Sequence, residues 1–503
     1  MANPLYDALF GQHLQSDAVF LQVPGEGVLT YAGFLKTAAQ YAGLFTDMGL
    51  VPGDRVAIQV AKSPQALAVY AACAQAGLVF LPLNTAYTAD EVAYFVENSS
   101  AGIVLADDNR CSDLEPIAKR CQAHLETLNA NGSGTFAQRA ASFPTDFQTV
   151  ARGEDDLAAF LYTSGTTGRS KGAMLSQGNL LSNAETLQTE WRITSADVLL
   201  HALPIFHTHG LFVASNVSLL AGSQMIFLPK FDLDQMINAL PQATMMMGVP
   251  TFYTRLLGDA RFTNDLAEHM RLFVSGSAPL LADTHIQFEA RTGHRILERY
   301  GMTETNMITS NPYDGERRAG TVGFPLPGVE LKIIDSQTGA SLPQGEIGEI
   351  EVRGPNVFQG YWQMPEKTAA ELRPDGFFIT GDLGQIDTDG YLRIVGRNKD
   401  LIISGGYNIY PKEIELLLDV QSGVQESAVI GVPHPDFGES VVGVLIAQPD
   451  QNLDLDGIKA SIGTSLARFK LPQKLIVLPE LPRNTMGKVQ KKVLREQFAT
   501  MFC

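Results

Sequence analysis

The sequence predicts an α/β protein in which a large N-terminal domain of βαβ subdomains, with a small β-barrel-like subdomain, precedes a small C-terminal α+β domain. Three observations support this prediction. Short apolar runs alternate with helix-like stretches up to about residue 320. Short strands with Asp-Gly turns then follow, and a compact helix–strand pattern comes after the charged tetrapeptide at residues 397–400.

The alternating region begins with strand–helix pairs at Val56–Val60 with Pro64–Ala76 and Val79–Leu83 with Ala89–Glu97. Strands that alternate with helices of this length form βαβ units and mostly parallel sheets. Further strands of this kind are predicted at Ala158–Tyr162, Gln224–Leu228, Met245–Val249, Leu272–Val274 and Ile296–Glu298.

The sequence pattern changes after Gly320, from alternating strands and helices to short strands separated by turns. Asp375-Gly376 and Asp389-Gly390 are turn signals between short strands, which favours a small antiparallel sheet over residues 321–399. Its strands are predicted at Val329–Ile334, Gly348–Arg353, Phe377–Thr380 and Gly390–Val395. A helix from about Pro411 and strands at Ala428–Val432 and Val441–Ala447 complete the last module. We therefore expect domains at residues 1–399 and 400–503.

Composition excludes several classes of protein. With 45% hydrophobic residues the chain of 503 residues can bury large cores, so wholesale disorder is excluded. A net charge of −17 disfavours nucleic-acid binding as the main task. The four cysteines show no CxxC spacing, which excludes a zinc ribbon and a disulfide scaffold. No signal peptide or membrane-spanning run is evident, so we expect a soluble cytoplasmic protein.

The densest chemical signal is the segment YTSGTTGRSKG at Tyr162–Gly172. Glycines let backbone N–H groups approach phosphate oxygens, hydroxyl groups donate further hydrogen bonds, and Lys171 supplies charge. It is not a Walker A loop, because Ser170 precedes the lysine and Gly172 follows it. The segment predicts a phosphate-binding loop.

Seven segments in order resemble the adenylate-forming acyl-CoA synthetases over nearly the whole chain. They are the glycine-rich segment, Pro204–Gly210, Tyr300–Glu304, Thr380–Asp382, Gly396–Asp400, Ile403–Tyr407 and Pro482–Lys488. The resemblance implies that a carboxylate attacks the α-phosphate of Mg·ATP, and that coenzyme A thiolate then displaces AMP to give a thioester.

The resemblance also implies the nucleotide-binding residues. Thr303 would contact the α-phosphate, and Glu304 would hold Mg²⁺ as an oxygen ligand. The β- and γ-phosphates would be wrapped by Thr163, Ser164, Gly165, Thr166, Thr167, Gly168 and Lys171. The adenine wall would comprise Gly276, Ser277, Ala278, Glu298, Arg299 and Tyr300, with Tyr300 stacked on the base. Gly301 and Met302, which follow Tyr300, would also bind ATP. Asp382 would accept both ribose hydroxyls, beside Arg397.

The C-terminal domain would act as a mobile lid. By resemblance, Lys488 would bridge the attacking carboxylate and the α-phosphate. Rotation about Asp400 would withdraw it and bring Ser404, Gly405, Gly406 and Tyr407 to line the pantetheine tunnel. Arg468 and Lys470 are candidates for binding the phosphates of coenzyme A. A protein acetyltransferase that modifies Lys488 would switch adenylation off, because the charge is lost.

The carboxylic acid is indicated by Arg255, which lies one helical turn after Thr251 on the same face. A guanidinium is costly against an alkyl chain but pairs bidentately with a second carboxylate. His207 and Ser277 could add hydrogen bonds. The run VPTFYTRLL resembles the malonyl-CoA synthetase branch, which favours malonate, with methylmalonate as a poorer substrate.

Four alternatives remain open. Arg255 could face solvent at a helix end. The substrate could be a short- or medium-chain fatty acid or an aryl acid. The chain could load an acyl group onto a separate carrier protein. It could also be a nucleotide sensor without catalysis, although Lys171, Glu304 and Lys488 together argue against that.

Overall fold

The computed structural model describes residues 2–163, 170–404, 407–484 and 487–502. The chain forms two compact units, one of residues 1–330 with 352–378 and one of residues 331–351 with 379–503. The domain boundary at residues 399/400 stays a prediction. Within the described ranges, no helix is both long and apolar enough to cross a bilayer.

Among the described residues, thirteen α-helices lie in the first unit. They are α1 (Pro4–Leu9), α2 (Tyr31–Asp47), α3 (Pro64–Ala76), α4 (Ala89–Ser99), α5 (Cys111–Cys121), α6 (Thr135–Ala140), α7 (Gln177–Glu190), α8 (Asn216–Ala221), α9 (Leu233–Ala239), α10 (Pro250–Leu257), α11 (Asn264–Ala267), α12 (Ala282–Thr292) and α13 (Pro365–Glu371). A π-helix at His209–Ser215 leads into α8.

Its strands are β1 (Val19–Val23), β2 (Gly27–Thr30), β3 (Arg55–Gln59), β4 (Val79–Pro82), β5 (Ile103–Ala106), β6 (His124–Thr127), β7 (Leu157–Thr163), β8 (Lys171–Ser176), β9 (Val198–His201), β10 (Gln224–Phe227), β11 (Met245–Gly248), β12 (Leu272–Ser275), β13 (Leu297–Met302), β14 (Asn306–Ser310) and β15 (Phe324–Pro325). They form a six-stranded sheet ordered β6-β5-β3-β4-β7-β8 and a nine-stranded sheet ordered β15-β14-β13-β12-β11-β9-β10-β1-β2.

The predicted parallel sheets are confirmed, with antiparallel strands at their edges. In the six-stranded sheet, β3 to β7 pair in parallel and β8 joins β7 antiparallel. In the nine-stranded sheet, neighbouring strands pair in parallel along the series β13, β12, β11, β9, β10 and β1. Strands β2, β14 and β15 pair antiparallel at the two ends of the sheet. Parallel sheets place the carboxyl ends of their strands along one edge, where α/β proteins bind ligands.

Helix starts follow the local sequence. The Ser63 hydroxyl accepts a hydrogen bond from the Ala66 N–H at 3.1 Å, and Pro64 occupies the first turn of α3. The helix ends at Gly77, whose φ of 72° suits a residue without a side chain. Thr88 and Glu91 form a capping box at the start of α4. The predicted starts of both helices are confirmed.

The remaining elements lie in the second unit, apart from end residues of β16, β17 and β18 that belong to the first. They are α14 (Pro411–Asp419), α15 (Leu455–Gly463) and α16 (Lys491–Gln497), with β16 (Glu330–Ile334), β17 (Gly348–Arg353), β18 (Phe378–Ile386), β19 (Leu392–Arg397), β20 (Ile402–Ser404), β21 (Tyr407–Ile409), β22 (Val424–His434), β23 (Gly438–Ala447) and β24 (Lys474–Leu478). Strands β16 to β19 form a four-stranded sheet in chain order, and β18 and β19 pair antiparallel.

The C-terminal sheet is ordered β21-β20-β23-β22, with β24 beside β23. Because successive side chains of a strand point to opposite faces, β22 and β23 contribute to two cores. Val429 and Leu445 pack in one core with residues of α14 and α15, while Ile430 packs in the other with Leu494 of α16. The α+β pattern expected after residue 400 is confirmed by this two-sided packing.

Candidate active site

The two ends of the predicted phosphate loop lie side by side. Thr163 ends β7, Lys171 begins β8, and the two residues pair across the antiparallel strands. Ser164, Gly165, Thr166, Thr167 and Gly168 lie outside the described residues. The strand pairing therefore places one hydroxyl and one ammonium at the two ends of this loop.

Glu304 joins this group from the turn between β13 and β14. Its side chain is buried, and its Oε1 accepts a hydrogen bond from the Thr163 hydroxyl at 3.3 Å. The turn requires a glycine, because a Cβ at Gly301 would lie 2.1 Å from the Asn306 carbonyl oxygen. Thr303 precedes Glu304 in the same turn and is half-buried.

Tyr361 and Glu371 complete the cluster and were missed by sequence reasoning. The Tyr361 hydroxyl lies 3.1 Å from Oε1 of Glu304 and 2.6 Å from Oε2 of Glu371. The Lys171 ammonium lies 3.2 Å from Oε2 of Glu371 and 4.1 Å from the centre of the Tyr361 ring. Nothing in their local sequence distinguishes a tyrosine after Gly360 or a glutamate in a short helix from ordinary surface residues.

The charges of the cluster shift the pKa values of its members. Burial raises the pKa of Tyr361, and the Glu304 and Glu371 carboxylates beside it raise that pKa further. Burial also raises the pKa of Glu371, but hydrogen bonds from Lys367 and Tyr361 and the charge of Lys171 outweigh it, so that pKa is lowered overall. Glu371 is therefore ionised and Tyr361 neutral at physiological pH.

The cluster is compatible with magnesium carried by a nucleotide. Among the described residues, no group of three or more His, Cys, Asp or Glu side chains could hold a metal ion alone. Mg²⁺ in nucleotide sites uses one or two carboxylates together with phosphate oxygens and water. The oxygens of Glu304, buried beside the predicted phosphate loop, fit that ligand set.

The segments predicted for the adenine wall lie on neighbouring strands. Strands β12 and β13 pair in parallel, with Ser275 opposite Glu298. Gly276, Ser277 and Ala278 follow the end of β12, and Glu298 to Met302 belong to β13. Tyr300 is half-buried on β13 opposite Thr309. The fold therefore brings these residues together, and their contacts with a base stay a prediction.

Arg299 is the most unusual member of this wall. Arg299 is 3% exposed, and within the described parts of the chain its Nε and Nη2 have no hydrogen-bond partner. Burial lowers the pKa of Arg299 to about 9, with an opposing effect of Tyr253 on α10. Gly276 leaves room for it, because a Cβ at that position would lie 2.4 Å from its Cζ.

Two histidines approach the same place. His209 is buried, and its Nδ1 lies 3.1 Å from the Ser277 hydroxyl. Burial and the charge of Arg299 hold the pKa of His209 well below its usual value, so its ring is neutral. His207, the predicted residue, is half-buried, and its Nδ1 accepts a hydrogen bond from the His209 N–H at 3.5 Å. His209 was missed although it lies in the same motif.

Arg255 lies on α10, as predicted, and is exposed. Its guanidinium lies over the Phe231 ring at 5.4 Å. Among the described residues, it makes no hydrogen bond or ion pair to Ser277, His207 or any other predicted site residue. Its role in recognising a carboxylate stays a prediction.

The second unit holds the predicted ribose pair. Asp382 on β18 faces Arg397 on β19, and Oδ1 of the aspartate lies 2.6 Å from Nε of the arginine. Asp382 is 3% exposed. Its backbone N–H donates to the Thr380 hydroxyl at 3.1 Å, which fixes the Thr-Gly-Asp turn. The fold therefore brings Asp382 and Arg397 together, and their contacts with a ribose stay a prediction.

The predicted hinge and coenzyme A residues follow in the same unit. The Asp400 carboxylate lies 2.8 Å from Nη1 of Arg495 on α16. Ser404 pairs with Tyr407 across β20 and β21, whereas Gly405 and Gly406 lie outside the described residues. The Tyr407 ring stacks on Phe469 with centroids 4.5 Å apart.

Arg468 and Lys470 form one short 3₁₀ turn with Phe469 between them. The Lys470 ammonium pairs with the Glu413 carboxylate at 2.7 Å, whereas Arg468 is exposed. This arrangement leaves Arg468 as the more accessible of the two predicted phosphate contacts.

Lys488 is exposed in the second unit and makes two hydrogen bonds with Asn484. Its neighbours in the lysine run differ from it. Lys491 forms an ion pair with buried Glu415 at 2.5 Å, whereas Lys492 is 79% exposed. The Lys491–Glu415 pair anchors the start of α16, three residues after Lys488.

Comparison with known proteins identifies the family of the chain. The AMP-binding enzyme family model matches residues 11–362, and the model of the AMP-binding enzyme C-terminal domain matches residues 413–488. A malonate–CoA ligase from Arabidopsis thaliana is 36% identical over 90% of this chain and 79% of its own length. A long-chain-fatty-acid–CoA ligase from Bacillus subtilis (strain 168) is 32% identical over 93% of this chain and 90% of its own.

Solved structures show the same fold. The crystal structure of ATP-bound MatB from Rhodopseudomonas palustris is 54% identical to the chain, with a TM-score of 0.98 and full coverage of both chains. The predicted two-part architecture is confirmed by this match. The chain belongs to the AMP-binding enzyme family and is an acyl-CoA synthetase of that family.

Proposed function

We propose that the protein ligates malonate to coenzyme A, and methylmalonate more weakly, through an acyl-adenylate. One malonate oxygen attacks the α-phosphorus of Mg·ATP and pyrophosphate leaves. The coenzyme A thiolate then attacks the acyl carbon, and AMP leaves with the bonding electron pair of the C–O bond. Malonate is the acid named for the relative from Arabidopsis thaliana.

The observation that carries this proposal is the buried Arg299 guanidinium. It lies against Gly276 and close enough to His209 and to Tyr253 on α10 for its charge to affect their pKa values. A buried cation without a paired anion is costly, so an anionic ligand stabilises it. The second carboxylate of malonate supplies that charge, with Ser277 beside it.

Most of the remaining residues bind the nucleotide or the thiol, and Lys488 neutralises charge. Thr163 and Lys171 bind the terminal phosphates, Glu304 holds the metal ion, and Thr303 contacts the α-phosphate. Asp382 and Arg397 orient the ribose. Lys488 offsets the repulsion between two anions that must react, which is where electrostatic stabilisation contributes most. Ser404 and Tyr407 line the path of the thiol.

A panel of acids tests the proposal. Malonate, methylmalonate, acetate, butyrate and benzoate are each incubated with ATP, Mg²⁺ and coenzyme A, and AMP and thioester are measured. We expect malonate to have the highest kcat/KM, with methylmalonate second. A preference for butyrate or benzoate would instead identify a fatty or aryl acyl-CoA synthetase, as the relative from Bacillus subtilis is named. Thioester formed on a carrier protein alone would identify a loading enzyme.

Arg255→Ala tests the guanidinium that the sequence predicts for the acid pocket. We expect kcat/KM for malonate to fall by about tenfold or more, because the charge-assisted hydrogen bonds to the distal carboxylate are lost. Binding of ATP is expected to stay unchanged. Thr254→Ala, at the neighbouring exposed position of α10, is the matched control. Unchanged malonate kinetics in the Arg255 variant would remove this residue from the pocket.

Asp400→Pro tests the hinge. Proline fixes φ and removes an N–H, so a backbone pivot at this residue is stiffened. We expect thioester formation from preformed acyl-adenylate to fall more than adenylation, with both half-reactions followed in single turnovers. Arg495→Met removes the ion pair to Asp400 without stiffening the backbone, and it should leave the ratio of the two rates unchanged. Equal losses in both half-reactions of the proline variant would exclude the hinge.

Acetylation of Lys488 should stop adenylation, because it removes the positive charge. We expect incubation with a protein lysine acetyltransferase and acetyl-CoA to abolish pyrophosphate release in proportion to modification at this residue, measured by mass spectrometry. A deacetylase should restore the activity. Full modification with undiminished activity would show that this ammonium is dispensable.

A further inference from the structure

Glu371 is an acidic residue at the end of α13 that holds two cations. Its Oε1 lies 2.6 Å from the Lys367 ammonium, one helical turn earlier. Its Oε2 lies 3.2 Å from the Lys171 ammonium, which comes from β8, 200 residues away in sequence. The local pair with Lys367 supports the helix, whereas the pair with Lys171 connects α13 to the predicted phosphate loop.

Tyr361 fixes the geometry of this long-range pair. Its ring is 2% exposed, and the Lys171 ammonium lies over its face at 4.1 Å. Its hydroxyl lies 2.6 Å from the same Glu371 oxygen that contacts Lys171. The aromatic face and the carboxylate together hold the ammonium in one place.

A nucleotide phosphate that approaches Lys171 would meet an ammonium that is already neutralised. The side chains of Lys171 and Glu371 are 10% and 22% exposed, so the pair is only partly screened by water. Phosphate and carboxylate carry charges of the same sign and repel each other. Lys171 can pair fully with the phosphates only when its ion pair with the Glu371 carboxylate is broken.

We propose that Glu371 is a positioning residue that holds Lys171 over the Tyr361 ring when no phosphate is bound and exchanges it for the β- and γ-phosphates of the incoming nucleotide. The exchange rests on the nucleotide site of the proposed function. Because the Lys171–Glu371 pair must break before a phosphate can bind Lys171, the exchange lowers the affinity of every phosphate ligand of Lys171. The pair re-forms when pyrophosphate leaves, which eases the release of pyrophosphate.

Equilibrium binding of ATP, pyrophosphate and AMP to the Glu371→Gln protein tests the exchange. We expect ATP and pyrophosphate to bind about fivefold more tightly than to the wild type, the value of a partly screened ion pair. AMP lacks the phosphates that would take Lys171, so its affinity is expected to stay unchanged. An equal change for AMP and ATP, or no change for either, would overturn the proposal.

A second background separates the exchange from simple repulsion. In a Lys171→Met protein, Glu371→Gln should no longer tighten ATP binding, because there is no ammonium to release. A gain that persists would mean that Glu371 acts on the phosphates directly, which contradicts the exchange. Glu366→Gln, an exposed glutamate of the same helix, makes the same charge change away from Lys171 and should leave ATP affinity unchanged.

A further variant protects the test against misfolding. Glu371→Asp keeps the charge and should restore wild-type affinity. Thermal melting reports whether each variant is folded. A folded wild type that binds no ATP would refute the proposed function and the exchange together, whereas normal ATP binding with an unaffected Glu371→Gln protein would refute the exchange alone.

Discussion

Lys488→Ala is expected to lower the rate of acyl-adenylate formation by about 10²–10³-fold, the usual loss when one donor to a developing charge is removed. The ammonium offsets the repulsion between malonate and the α-phosphate, and Lys488 is exposed in the structure. Pyrophosphate release in a single turnover measures the effect. Conversion of preformed malonyl-adenylate to thioester is expected to be unchanged.

Lys492→Ala is the matched control for this variant. It removes a lysine of the same run that is 79% exposed and lies 3.7 Å from Glu496 on the same helix. We expect normal rates in both half-reactions. Equal losses in the two lysine variants would mean that the run supports the structure or attracts anions in general, and that Lys488 has no special place in the reaction.

Arg299→Met is expected to lower kcat/KM for malonate by about 10²–10³-fold, because a buried charge pair loses one partner. Methionine has a similar length and no charge, so the volume beside Gly276 stays filled. The variant should gain relative activity with butyrate, since an alkyl chain is no longer placed against a buried cation. Steady-state kinetics with both acids measure the switch.

The controls separate recognition from packing. Arg295→Met removes an arginine that is exposed and pairs with Glu289, and it should leave malonate kinetics unchanged. Arg299→Lys keeps a charge and should retain part of the malonate activity. If Arg299→Met affects ATP affinity and leaves the preference between the two acids unchanged, the guanidinium serves the nucleotide wall, as the sequence alone predicted.

The fold was predictable from the sequence because its strands are apolar runs between helix caps and glycines. The pairs Val56–Val60 with Pro64–Ala76 and Val79–Leu83 with Ala89–Glu97 needed only local signals. The antiparallel pairing of β7 with β8 was not foreseen, because a single glycine-rich loop is compatible with several strand arrangements. The π-helix at His209–Ser215 has no pattern of its own that distinguishes it from an α-helix.

The site was predictable only where motif residues carry it. The contact between Thr163 and Glu304 joins two motifs that are 141 residues apart, and each was recognised separately. Glu371 lies outside any such motif, and its relation to Lys171 depends on tertiary packing. The burial of Arg299 could not be read from a strand in which polar and apolar residues alternate irregularly. The pairing of Glu371 with Lys171 and the burial of Arg299 are therefore known only from the structure.

The close approach of Arg299 to the backbone at Gly276 ties two positions together across the protein family. A methyl group at position 276 would overlap the guanidinium. Relatives with alanine or a larger residue there must therefore place a smaller or differently oriented side chain at the position of Arg299. In an alignment, we therefore expect glycine at position 276 and arginine at position 299 to change together.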